Sequence, residues 1–307
     1  MSVTRHDPAL PGSLVSVSWL ASHLGPPLAV LDATVILQPP SRDGDYRAES
    51  GSARFAEGHI PTARHADLLG DFADGSASYH FARPSAEEFS AALDRLGVGD
   101  GCPVVAYDSE GGMWAARLWW MLRWIGVPAA VLDGGWQAWV SRGGAVESGT
   151  PGIEDGPADS RPLPGTADRP AITPRERPGM WADRAEVLEV VGGSRRGHLV
   201  CALSAEVFAG TAPTRYSRRG HIPSSINLPA RTLLGSDVRM RPTAELAQAA
   251  AGIPDDGGPV TVYCGGGISA AIVAHALTLV GRDQVAIYDG SLEEWTADPA
   301  LPLERAV

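Results

Sequence analysis

Apolar residues in this chain gather in short runs, and polar or glycine-rich stretches separate them. Residues 199–203, 260–263 and 285–288 are such runs. Four or five apolar residues bounded by turn signals predict buried strands. Between them, residues 270–280 and 244–251 place apolar side chains at helical spacing. Trp114, Trp119, Trp120 and Trp124 are spaced as a stripe on another helix, where large aromatics ordinarily serve as core or as packing of one domain on the other. Short buried strands alternating with helices predict an α/β fold, with a mostly parallel sheet flanked by helices on both faces. In such sheets ligands bind beyond the carboxyl ends of the strands.

The pattern occurs twice. Pro103 matches Pro259, Asp108 matches Cys264, Asp133 matches Asp289 and Trp139 matches Trp295, all at a constant offset of 156 residues. Each half also carries Gly-His-Ile-Pro, once at Gly58, His59, Ile60 and Pro61 and once at Gly220, His221, Ile222 and Pro223. A period this long predicts a duplicated domain and not a solenoid of small repeats. The stretch between the halves is rich in Gly, Pro, Asp and Ser and lacks an apolar period, which predicts a linker. The expected organisation is a first domain over 1–145, a linker over 146–174 and a second domain over 175–307.

Composition narrows the function. The 307 residues carry 25 Lys+Arg against 36 Asp+Glu, a net charge of −11, with no basic block, so a nucleic-acid partner is not expected. An acidic surface does little to attract anions at long range, so an anionic substrate must be caught by local groups. No run of eighteen apolar residues exists, and the N-terminus lacks a basic segment followed by an apolar one. The three cysteines, Cys102, Cys201 and Cys264, form no disulfide framework and no CxxC pair. The expectation is a reduced, cytoplasmic protein with no membrane partner, no metal site and no cofactor.

The cysteine that stands apart is Cys264. It ends an apolar run, three glycines follow it, and Ser269 opens a helix. Sulfur at that junction faces backbone N–H groups and the positive end of a helix dipole, an arrangement that favours thiolate over thiol. A thiolate in an open loop is a nucleophile. Cys102 and Cys201 lie at or within strands and read as inert, with a resolving-thiol role for Cys201 as the alternative.

With these motifs in order and duplicated, nearly the whole chain resembles a tandem rhodanese, a sulfurtransferase. The resemblance rests on the two Gly-His-Ile-Pro turns, the Tyr263-Cys264-Gly-x-Gly loop, and Tyr288, Asp289, Gly290, Ser291 and Trp295 after it. It implies two tandem rhodanese-like domains and a ping-pong reaction through a persulfide on Cys264. Gly265, Gly266, Gly267, Ile268 and Ser269 would form the persulfide loop. Asp108 takes the equivalent place in the first half, which implies a catalytically silent first domain. A small sulfur donor, 3-mercaptopyruvate or thiosulfate, and a thiol, cyanide or protein acceptor are the implied partners. The alternative is a persulfide carrier that delivers sulfur to a protein.

Donor choice is marked by departures from the family pattern. Gly265 directly after the cysteine resembles mercaptopyruvate-using members, which tend to read Cys-Gly-Ser-Gly-Val-Thr-Ala. Gly266 replaces the serine of a proposed serine–histidine–aspartate relay. His80 falls at the relay's histidine, whereas its aspartate position reads Leu69, with Asp67 and Asp71 nearby. One of two expected carboxylate-binding arginines reads Val207, and the other corresponds to Arg215, with Arg218 and Arg219 able to supply the missing charge. His80, Arg215 and Arg219 are thus the candidate substrate-binding residues. His59 and His221, being repeated, read as structural. A cysteine phosphatase or arsenate reductase needs an arginine closing a Cys-x5-Arg loop, and residues 265–272 contain none.

Overall fold

The expected buried strands are strands, and they are sealed on both faces. Val104, Val105, Ala106 and Tyr107 are all 0% exposed, and so are Val262 and Tyr263 of the matching run. The computed structural model describes residues 9–149 and 169–305. Its first half runs β1 (Leu14–Val15), α1 (Val17–His23), β2 (Ala29–Asp32), β3 (Val35–Leu37), β4 (Ala48–Ser50), α2 (Ser52–Glu57), β5 (Arg64–His65), α3 (Ala86–Arg95), β6 (Val104–Tyr107), α4 (Met113–Trp124), β7 (Ala129–Leu132) and α5 (Gly135–Ser141). Its second half runs β8 (Trp181–Ala182), α6 (Arg184–Val191), β9 (His198–Cys201), α7 (Ala205–Phe208), β10 (Ile226–Asn227), α8 (Thr243–Ala249), β11 (Val260–Tyr263), α9 (Ser269–Leu279), β12 (Val285–Tyr288) and α10 (Ser291–Ala297).

Each half builds a five-stranded parallel sheet. The orders are β1-β7-β6-β2-β5 and β8-β12-β11-β9-β10, which are the same order element for element. The register repeats too: Val104 faces Ala129 in the first sheet and Val260 faces Val285 in the second, the same offset of 156. The tryptophan stripe is core, with Trp114, Trp119, Trp120 and Trp124 all at 3% exposure or less. The helix that carries it, α4, is apolar nearly all round, as a helix buried on all sides must be.

Gly-His-Ile-Pro has one structural job in both halves. His59 stacks on Phe55 and His221 on Phe208, and each ring Nδ1 lies 2.8 Å from that phenylalanine's carbonyl oxygen. The next amide, of Ile60 or Ile222, donates to the hydroxyl of Tyr107 or Tyr263 at the end of the central strand. Gly220, at φ +127°, is obligatory, because a side chain there would collide with the Glu304 carbonyl.

The compact units are not the contiguous segments expected from composition. One unit takes Met1–Val35, Ser50–Phe72 and Pro84–Arg177; the other takes Ile36–Glu49, Ala73–Arg83 and Pro178–Val307. The first half is longer between matching strands, with 75 residues from Ala29 to Val104 against 62 from His198 to Val260. That excess lies on either side of β5, where the two stretches assigned to the second unit also fall. Of the linker expected over 146–174, residues 150–168 lie outside the described residues. Its far end belongs to the first unit, where the amides of Ile172, Arg175 and Arg177 donate to Asp94, Ile125 and Trp124. Among the described residues no helix is long and apolar enough to cross a membrane.

Candidate active site

Cys264 directly follows β11, and α9 begins five residues later. Gly267, at φ +73°, is the loop position that requires glycine. At Gly265 and Gly266 a Cβ would make only ordinary contacts, 3.6 Å from the Tyr216 ring and 3.4 Å from Glu293 Oε2. The sequence places the sulfur in an open loop. In the structure Cys264 is only 2% exposed, because residues from distant segments surround it.

One hydroxyl braces the loop. Ser291 Oγ accepts from the amides of Cys264 and Gly267, both at 3.0 Å, and donates to the Tyr288 carbonyl at 2.8 Å. The Gly267 amide, expected to face the persulfide, is therefore already taken. Ser291 holds φ +49°, a left-handed conformation that the first half gives to Gly135 at φ +53°. A serine keeps that conformation at a cost, and its three hydrogen bonds offset it. Ser291→Ala should leave two buried amides and a carbonyl unpaired, lowering stability by about 2–4 kcal/mol. Urea titration checks this, and an unchanged midpoint would refute it. Ser291→Gly should fall less, because it relieves the backbone.

The first half displays what such a loop does with an anion. Asp108 is fully buried, and its carboxylate accepts from four amides: Glu110 and Gly112 on Oδ1, Trp114 and Ala115 on Oδ2, all at 2.8–2.9 Å. Burial pushes the carboxyl's pKa up, and the amides pull against it. The Trp136 amide donates to the Asp108 carbonyl as the Leu292 amide does to that of Cys264, so the two loops are tied to their sheets alike.

Around Cys264 stand polar groups without partners. Arg215 donates from Nη2 to the Gln38 carbonyl at 2.5 Å, while its Nε is buried with no hydrogen-bond partner. Burial lowers the guanidinium's pKa, and the charges that oppose this include Tyr46, Tyr216, Asp45 and Cys264. The Tyr216 hydroxyl is also buried and unpartnered, and burial raises its pKa well above the ordinary phenol range. Glu293 donates its amide to the Gly265 carbonyl at 2.9 Å, and its Oε1 lies 2.5 Å from His80 Nδ1. Its Oε2 is buried without a partner. His80 stacks on Tyr46 with ring centroids 3.8 Å apart, and burial followed by the charge of Glu293 raises the Tyr46 phenol's pKa. Asp289 Oδ2 accepts from the Arg83 amide at 2.8 Å and so anchors the segment that carries His80.

The structure thus brings His80 and Arg215 to the Cys264 loop and takes Arg219 elsewhere. Arg219 Nε lies 2.9 Å from both carboxylate oxygens of Asp43. The Thr214 amide and then Arg219 hold that carboxyl below its usual range. Arg218 spends its donors on the carbonyls of Trp295, Thr296, Asp298 and Leu301, where α10 ends. Asp67 and Asp71, near the expected relay aspartate, bond to the Leu69 amide and to Arg95. The carboxylate beside His80 is Glu293 instead. Burial pushes the Cys201 thiol up to about 12, so it stays protonated and unreactive. Tyr46, Tyr216 and Glu293 carry no motif. Ser291 did have a signal, a serine at the position where the other half has glycine.

Comparison with known proteins shows the family and the fold. The rhodanese-like domain pattern matches residues 17–142 and 210–298. The chain is 34% identical over 300 residues to human 3-mercaptopyruvate sulfurtransferase, covering 94% of this chain and 93% of that one. It is 32% identical over 296 residues to thiosulfate sulfurtransferase of Gallus gallus, covering 94% of each. Crystalline SseA of Escherichia coli, described as a 3-mercaptopyruvate sulfotransferase with the rhodanese fold, superposes with a TM-score of 0.74 at 27% identity, over 91% of this chain and 98% of that one. The duplicated parallel sheets, the aspartate loop and the cysteine loop thus have one explanation: this chain is a member of the rhodanese family, a tandem-domain sulfurtransferase.

Proposed function

We propose that Cys264 carries sulfane sulfur as a persulfide, that 3-mercaptopyruvate is the preferred donor, and that the acceptor is a small thiophile. The Cys264 thiolate attacks the donor's sulfur. The carbon–sulfur bond breaks, pyruvate leaves and takes up a proton, and the sulfur stays on Cys264. The observation that carries this reading is the Asp108 cradle. The matching loop of the first half gathers four amides on one carboxylate, and the loop after Cys264 keeps the same strand, glycine turn and helix order, which supports a cradle for the charge of a persulfide.

Donor preference rests on charge. With Arg218 and Arg219 engaged elsewhere, Arg215 is the cation of the Cys264 site, and its Nε is unpartnered. One guanidinium suits one carboxylate. Thiosulfate brings a second charge close to the Glu293 carboxylate, which disfavours it. A cysteine only 2% exposed favours small molecules over a bulky protein acceptor.

Mass spectrometry after incubation with 3-mercaptopyruvate should find one added sulfur atom on the Cys264 peptide; its absence overturns the persulfide. Side-by-side kcat/KM values for the two donors should favour 3-mercaptopyruvate. Arg215→Ala should raise the KM for that donor about tenfold or more and change kcat less, as loss of uniform binding requires. An unchanged KM would remove Arg215 from the site.

A further inference from the structure

We propose that Glu293 is a specificity-determining residue that selects, as sulfur acceptor, a thiol carrying a protonated amine. The inference rests on the reading of Cys264 as the persulfide carrier and adds the acceptor's chemistry to it.

Glu293 is fixed at the cysteine loop from two sides. Its amide donates to Gly265, and its Oε1 pairs with His80, whose ring is in turn stacked on Tyr46. What remains is Oε2, buried without a partner and 3.4 Å from where a Cβ on Gly266 would stand. A side chain at residue 266 that reached beyond its Cβ in this direction would crowd Oε2; glycine adds nothing there. A buried carboxylate oxygen with no donor is costly, and the cost is recovered when a ligand brings the donor. Cyanide, sulfite and thiosulfate have no N–H to give, and neither does 3-mercaptopyruvate. An ammonium group does. At Oε2 it forms a charge-assisted hydrogen bond, and it also offsets the negative charge of the nearby persulfide.

The transfer balances simply. The acceptor's sulfur attacks the outer sulfur of the Cys264 persulfide anion and forms a new sulfur–sulfur bond. The bond to Cys264 breaks, and Cys264 leaves as the thiolate. The acceptor's thiol proton ends on the transferred sulfur. The ammonium keeps its protons throughout and acts only by binding.

The test uses full-length protein already loaded with sulfur, so that the donor step does not enter. Single-turnover rates are measured with cysteamine, 2-mercaptoethanol and 3-mercaptopropionate, a cationic, a neutral and an anionic thiol. In wild type, cysteamine should be favoured. In Glu293→Gln, which keeps the shape and removes the charge, the cysteamine-to-3-mercaptopropionate rate ratio should fall about tenfold or more. Comparing ratios between the two proteins cancels the intrinsic reactivity of each thiol. Glu293→Asp, which restores the charge, should recover part of the preference; a role confined to packing would not follow charge in this way. An equal ratio in wild type and Glu293→Gln overturns the assignment of Glu293 while leaving the persulfide reading intact. Failure to load any sulfur onto wild-type Cys264 overturns both.

Discussion

Cys264→Ser is expected to abolish sulfur transfer and leave the fold unchanged. A serine hydroxyl at neutral pH is almost wholly protonated and a far weaker nucleophile toward sulfur than a thiolate, so turnover should fall at least about a thousandfold. The site's scaffold does not depend on the sulfur. The loop is held by the Ser291 hydroxyl and by the Leu292 and Glu293 amides, all of which bond to backbone groups that the substitution keeps. Circular dichroism and the thermal midpoint should therefore match wild type while the persulfide adduct disappears. Undiminished turnover would refute the role of Cys264. An adduct moving to Cys201 would contradict the protonated, buried thiol found there.

Asp108→Ala should damage the stability of the first half. Four amides converge on that carboxylate, and no water reaches a side chain that is 0% exposed. Each buried N–H left without an acceptor costs about 1–3 kcal/mol, and even with partial relaxation a loss of roughly 4 kcal/mol or more is expected. Urea titration followed by tryptophan fluorescence is the direct measurement, since Trp114 donates one of the four bonds and α4 carries three further buried tryptophans. A midpoint equal to wild type would show that the loop holds its shape without the anion. Asp108 is thus a structural substitute for the charge that the other half would hold on sulfur. The Asp108 side chain fills its cradle as part of the fold of the first half.

These two residues were the readable part of the site. Both sit in loops that follow a strand and precede a helix, and both are located by a constant spacing from motifs on either side. The groups that line the site were not readable in the same way. Arg215, Arg218 and Arg219 look equivalent along the chain, four residues apart at most, and the structure gives them three different fates. Arg218 caps the end of α10, Arg219 is drawn to Asp43, and Arg215 keeps an unpartnered Nε for the site. Glu293 and Glu294 are neighbours, yet one reaches His80 and the other the Tyr288 hydroxyl at 2.7 Å.

The chain alone determined its duplication, its strand and helix types, and the places of Cys264 and Asp108 at the ends of matching strands. All of these are written in local periodicity and in spacing that repeats. Only the tertiary structure decided which side chains surround that sulfur. Tyr46 and His80 are more than 180 residues from Cys264, and Ser291 and Glu293 come from the first turn of α10. Their meeting depends on where sheet order and loop length carry each segment, and no local pattern encodes that.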